Sequence, residues 1–344
     1  MRGVSPLPRT VRTSNFWPMC CFLQSLRRSE AETGRLPSKV ACAPFRPGLT
    51  IIGCLVLLPS AYCTPIVEGR VSVTKCGQHA CWYRVVRPAL LHAGIGTAAP
   101  LVVCHGGPGV PSDYLFDLSK VGNRAVVFYD QLGAGRSDSP PLDAQTADEY
   151  CPAGFVRHLD AVLSALGLAR FHLYGQSWGG ILAFEYVRTA CLTSSKSTQQ
   201  LPLPLSLTLS NTPSSVALVE AEAARLLDAC GGDPNAFSLA HTCRVVPPPA
   251  LLADAYAHAG TVWRGTAAIS GWEADLSQLD RKRWPLHTLL MTAEADFVTP
   301  ACMRAWETLP GCRTVQIAGA SHHALLEEPE QYFRLLVEHL EECD

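Results

Sequence analysis

The stretch Gly175-Gln-Ser-Trp-Gly-Gly180 sets Ser177 inside a Gly-x-Ser-x-Gly pattern. Apolar Phe171-His-Leu-Tyr174 precedes it, and Ile181-Leu-Ala-Phe-Glu-Tyr-Val187, which reads as a helix, follows it. Strand, sharp turn and helix in that order place the serine on the turn. Such a turn strains the serine backbone, and neighbours bulkier than glycine would clash there. The strain lifts the hydroxyl clear of the sheet, where a base and a substrate carbonyl can reach it. A glycine-rich turn that merely packs a helix on a sheet has the same local spelling, so the rest of the chain must decide.

Outward from this turn, short apolar strands alternate with helical spacing. Cys81–Val86 alternates like an early strand, and Pro100–Cys104 and Ala125–Tyr129 are short buried ones. Thr146 to Leu166 has helical spacing, with Phe155, Leu159, Val162, Leu163 and Leu166 on one side. Further strands are expected at Leu205–Leu209, His287–Met291 and Arg313–Ile317, and a closing helix from Pro329 to Leu340. This is an α/β pattern: a mostly parallel central sheet with helices on both faces. Residues 214–283 break the alternation with Ala-rich helical stretches and Pro247-Pro-Pro249. They read as a small helical cap inserted over the carboxyl edge of the sheet, where such folds bind ligands.

The chain has 344 residues, 48% of them hydrophobic, and a net charge of -2. That suits one large domain and argues against nucleic acid as a main partner. The charge is split, however. Residues 1–63 carry eight Lys/Arg and two acids, a net +6, and residues 64–344 carry twenty and twenty-eight, a net -8. Segment 1–63 lacks periodicity and reads as a disordered extension ahead of the domain at 64–344. Its apolar run Leu49–Leu58 resembles a signal-peptide core but lies too far in for an ordinary signal. A cytoplasmic protein without stable membrane association is expected, with a targeting segment as the alternative. The fifteen cysteines show no metal-ligand spacing. Cys76 and Cys81 flank a hairpin and could pair if the protein is secreted. No cofactor or metal is called for, and the oligomeric state is not legible.

A serine hydroxyl is a weak nucleophile and needs a base and an orienting acid. Asp296 lies in the loop Thr292-Ala-Glu-Ala-Asp-Phe-Val-Thr-Pro300, and His322 in Ala318-Gly-Ala-Ser-His-His-Ala324, each after an apolar strand. The chain order Ser, Asp, His fits the α/β-hydrolase arrangement. His323 competes with His322 for the base, and Glu294 with Asp296. The oxyanion of the tetrahedral intermediate needs two donors. The backbone N–H of Trp178 is one, and the loop His105-Gly-Gly-Pro-Gly109 supplies the other, Gly107 ahead of Gly106.

His105-Gly-Gly-Pro-Gly109, Asp130-Gln-Leu-Gly-Ala-Gly-Arg-Ser137 and Gly175-Gln-Ser-Trp-Gly-Gly180 together resemble the proline iminopeptidase branch of the α/β-hydrolases. Asp296-Phe-Val-Thr-Pro300 and Ser321-His322 with Glu327-Glu-Pro329 match that family's acid and base motifs. The likeness spans about residues 64–344 and favours His322, the histidine directly after the serine, over His323. It implies a serine peptidase, a prolyl aminopeptidase that releases an N-terminal proline or other small residue from a small peptide or amide. It also implies cap carboxylates that bind the substrate's free amine. Here the chain departs from its relatives, carrying Thr266-Ala-Ala268 where many have a segment ending in Glu. Glu273, Glu220 and Glu222 are the substitutes on offer. An amidase or esterase acting on a small non-peptide substrate is the second reading. A non-catalytic binding protein is the third, disfavoured because all three triad members remain.

Overall fold

The computed structural model describes residues 64–344 except 93, 193–199, 278, 280, 285 and 286. Segment 1–63, including the apolar run at 49–58, lies outside the described residues. Among those described, no helix is long and apolar enough to cross a membrane.

One sheet runs through the molecule. Its strands are β1 (Ile66–Ser72), β2 (Ala80–Val86), β3 (Leu101–Cys104), β4 (Val126–Tyr129), β5 (His172–Gln176), β6 (Leu207–Ser210), β7 (Thr288–Ala293) and β8 (Cys312–Ile317). They lie in the order β1-β2-β4-β3-β5-β6-β7-β8. The β1–β2 and β2–β4 pairs are antiparallel and all the others parallel. Strands β3 to β7 are buried along their whole length, which is why they spell continuous apolar runs. Side chains alternate across the sheet. Val102 and Cys104 join the core on one face, Leu101 and Val103 the core on the other. Edge strand β1 is largely exposed, and Glu68 pairs there with Arg84 at 2.6 Å.

Helix α1 (Pro152–Ala165) is shorter than the expected span from Thr146. Pro152 sits in the first turn, where its missing N–H costs nothing, and the Cys151 thiol accepts the N–H of Gly154 at 3.4 Å. The helical spacing before Pro152 is spent on turns. Phe155, Leu159, Val162 and Leu163 of α1 are buried as expected. Helix α2 (Trp178–Leu192) follows the turn at Ser177 and is almost wholly buried. The C-terminal helix Pro329–Glu342 covers the opposite face through Tyr332, Leu336 and Leu340.

Between β6 and β7 the chain makes the cap: α3 (Val216–Ala229), α4 (Pro234–His241), α5 (Ala250–Ala257) and a 3-10 turn at Thr266–Ile269. Two backbone bonds fasten the cap to the glycine loop. Gly260 N–H donates to the Gly109 carbonyl at 2.8 Å and Gly265 N–H to that of Pro108 at 3.2 Å. Trp263 seals the join, its ring 4.9 Å from Trp178 and 4.5 Å from Phe155. Cys76 and Cys81 are both free thiols, the first exposed in the hairpin loop and the second buried from β2.

Candidate active site

Ser177 occupies the turn between β5 and α2 with φ +55°, a left-handed conformation that costs a side-chain-bearing residue about 1 kcal/mol or more. Its N–H donates to the Ser210 carbonyl at 2.9 Å, and its own carbonyl accepts from Gly180 N–H at 2.9 Å, which starts the helix. The glycines are required by contact. A Cβ on Gly179 would overlap the Cys104 carbonyl, and one on Gly180 the Thr212 side chain.

Asp296 follows β7 and His322 follows β8, and the two meet: His322 Nδ1 lies 2.8 Å from Asp296 Oδ1. A carboxylate only accepts, so Nδ1 carries the proton and Nε2 a free lone pair. Asp296 also accepts the Val298 N–H at 2.9 Å and the Asn211 amide at 2.6 Å. Phe297 lies against the His322 ring at 4.3 Å. The cap braces both loops. His322 N–H donates to the His241 carbonyl at 3.4 Å, and the His241 ring donates to the Ala295 carbonyl at 2.8 Å.

The competitors face elsewhere. His323 turns to the Tyr256 hydroxyl at 3.0 Å, and burial pushes its pKa well below the ordinary histidine range. Glu294 is exposed and accepts the Gly319 N–H at 2.8 Å.

Ser177 is not hydrogen-bonded to this pair. Its hydroxyl has no hydrogen-bond partner among the described residues, and His322 Nε2 instead faces Gln176 Nε2 at 3.3 Å. The serine lines a small cleft with Gly107, Trp178, Ile181, Val216, Val219 and Phe297 among its walls. Trp178 opens α2, so its N–H has no partner within the helix. Gly107 has φ +119°, and a Cβ there would come within 2.6 Å of Gly109 N. Gly106 is not available as a donor, because its N–H is given to the Tyr114 hydroxyl at 2.7 Å. Gln131 shapes the loop, donating its N–H to His105 Nε2 at 2.9 Å and its amide to the His105 carbonyl at 2.8 Å. Its remaining oxygen accepts Trp178 Nε1 at 2.7 Å, tying the glycine loop to the turn.

Among the described residues, no acidic or basic side chain lines the cleft. The expected Glu220 and Glu273 are both exposed and outside its lining. Glu220 falls on the solvent side of α3, whose buried stripe is Val216, Val219 and Ala223. Glu222 is drawn to Arg225 at 2.8 Å. Among the described residues, no three His, Cys, Asp or Glu side chains are grouped to hold a metal ion.

Gln176, Tyr114, Asn211 and His241 were not legible as site residues. The available signals were a glutamine closing the buried strand β5 and the stretch His241-Thr-Cys-Arg244, which resembles part of the family's cap.

The model of the alpha/beta hydrolase family matches residues 101–335. A proline iminopeptidase of Lactobacillus delbrueckii subsp. lactis is 32% identical over 271 residues, covering 69% of this chain and 88% of the relative. The crystal structure of the proline iminopeptidase of Mycobacterium smegmatis superposes with a TM-score of 0.64 at 27% identity, covering 80% of this chain and 98% of that one. An esterase from Exiguobacterium antarcticum shares the fold, with a TM-score of 0.56 at 19% identity over 79% of this chain and 98% of that one. This chain therefore belongs to the alpha/beta hydrolase family and is an enzyme of that family. Within the family it resembles the proline iminopeptidases.

Proposed function

We propose that the protein is a serine hydrolase that releases an N-terminal proline or other small residue from a peptide or amide. The observation that carries the chemistry is the 2.8 Å bond from His322 Nδ1 to Asp296, in a chain whose Ser177 is held at φ +55°. The likeness to the Lactobacillus proline iminopeptidase supports the substrate class.

The Ser177 oxygen attacks the scissile carbonyl as its proton passes to His322 Nε2, while Asp296 holds the tautomer. The carbonyl oxygen becomes an oxyanion that the Trp178 and Gly107 N–H groups receive. The C–N bond then breaks, and the leaving amine takes the proton from His322. Water, deprotonated by the same nitrogen, attacks the acyl-enzyme; the acid leaves and Ser177 recovers its proton. The scheme uses only the chain, its substrate and water.

One observation favours the second reading, an amidase or esterase with the same triad. Among the described residues the cleft has no carboxylate to pair a substrate ammonium, and an unpaired buried cation is costly. Turnover of a prolyl amide against its N-acylated analogue decides between them. Preference for the free amine upholds the aminopeptidase, and preference for the acylated analogue selects the second reading.

A further inference from the structure

Three bonds in series join the glycine loop to the base. Gly106 N–H donates to the Tyr114 hydroxyl at 2.7 Å, and that hydroxyl donates to Gln176 Oε1 at 2.7 Å. The contact fixes the amide: with Oε1 on Tyr114, Nε2 points at His322. It lies 3.3 Å from His322 Nε2 and 3.3 Å from the His322 carbonyl. The side chains of Tyr114, Gln176 and His322 are all buried, Gln176 being 4% exposed.

The lone pair on His322 Nε2 is the one a serine proton must reach, and an amide donor occupies it. His322 does not line the cleft that holds Ser177 and instead borders a second, small pocket with Gln176, Tyr114 and Asn211. Neutral imidazole accepts from the amide, whereas imidazolium would meet it donor to donor.

We propose that Gln176 is a positioning residue, its Tyr114-oriented amide being the resting partner of His322 Nε2, which Ser177 takes over for attack. The proposal rests on the serine-hydrolase reading. Once His322 is protonated the amide no longer holds it, which leaves the ring free to deliver its proton to the leaving group. Around the ring, the titratable groups are Asp296 on Nδ1 and His323 at 5.5 Å, the latter flanked by Tyr114 and Tyr256.

The test is the pH dependence of Ser177 labelling by a fluorophosphonate, followed by intact-mass spectrometry, which needs no natural substrate. In Tyr114→Phe the amide loses the donor that holds Oε1 and can turn, giving up its bond to the His322 carbonyl, to present Oε1 to the ring. An acceptor there favours the protonated ring, so the acid limb moves up by about 1 pH unit. In the Gln176→Met background Tyr114→Phe moves nothing, because it acts through the amide. Gln176→Glu reads the same contact without altering Tyr114, and its limb also moves up. A limb that stays in place in both Tyr114→Phe and Gln176→Glu overturns the proposal, as does a Tyr114→Phe shift that persists without Gln176. If wild-type protein is not labelled at Ser177 at all, the serine-hydrolase reading fails instead.

Discussion

Asn211 donates its side-chain amide to Asp296 Oδ2 at 2.6 Å, filling the carboxylate oxygen that His322 leaves free. Asn211 sits just after β6 at φ +50°, a left-handed backbone that asparagine tolerates better than most residues. Backbone and side chain therefore contribute separately. Asn211→Gly keeps the turn and removes the amide; a hydrogen bond to a charged group contributes about 1.5–3 kcal/mol. It is expected to fold and to lose about tenfold or more in kcat. Asn211→Ala loses the same amide and adds about 1 kcal/mol of left-handed strain. Urea unfolding should rank Gly above Ala, with similar kcat; equal stabilities would show that the turn carries no strain.

Gly179 lets α2 approach β3, and any Cβ there meets the Cys104 backbone, which cannot rotate away. Gly179→Ala is expected to destabilise the protein by about 3 kcal/mol or more, at the upper end of overpacking costs. The same substitution at Gly231, where a Cβ would meet nothing but φ is +70°, pays only the backbone penalty. Unfolding midpoints of the two variants measure the difference, and equal losses would contradict the close-approach account.

His339 is buried on the C-terminal helix, and its Nε2 has no partner among the described residues. Burial, aided by the positive charge of Arg313, brings its pKa down to about 3. Burial likewise brings His172 down to about 4. Both rings stay neutral in the fold while the unfolded chain protonates below about pH 6.5. Their contribution is complete above that value and drains away as pH falls toward their native values. Stability should therefore drop between pH 7 and pH 5. His339→Leu should reduce that drop by about 1–2 kcal/mol, since one proton no longer binds the unfolded chain there. Urea titrations at the two pH values check it, and parallel losses in wild type and variant would refute it.

What the sequence made legible was local or ordered. Glycines packed around Ser177 mark a sharp strand-to-helix turn, and Asp296 and His322 each follow an apolar strand, so chain order places them at the same sheet edge. Adjacency gave no means of choosing between His322 and His323; the family pattern favoured the first, and in the structure it is the ring that reaches Asp296. The early end of the expected Thr146 helix was overridden by Pro152, whose capping outweighed the spacing. The partners of the site were hidden for a different reason. Gln176, Tyr114 and Asn211 bond to residues 8 to 146 positions away, and no local pattern encodes such pairings. Glu220 and Glu273 were chosen by charge alone, and charge does not say which side of the cap a residue faces.

The most direct measurement is intact-mass and peptide mass spectrometry of the full chain after reaction with a fluorophosphonate, in wild type and Ser177→Ala. The account predicts one covalent adduct on Ser177, loss of hydrolysis in step with labelling, and neither adduct nor turnover in Ser177→Ala. Full hydrolytic activity in Ser177→Ala, or an adduct on another residue with activity lost, would contradict it.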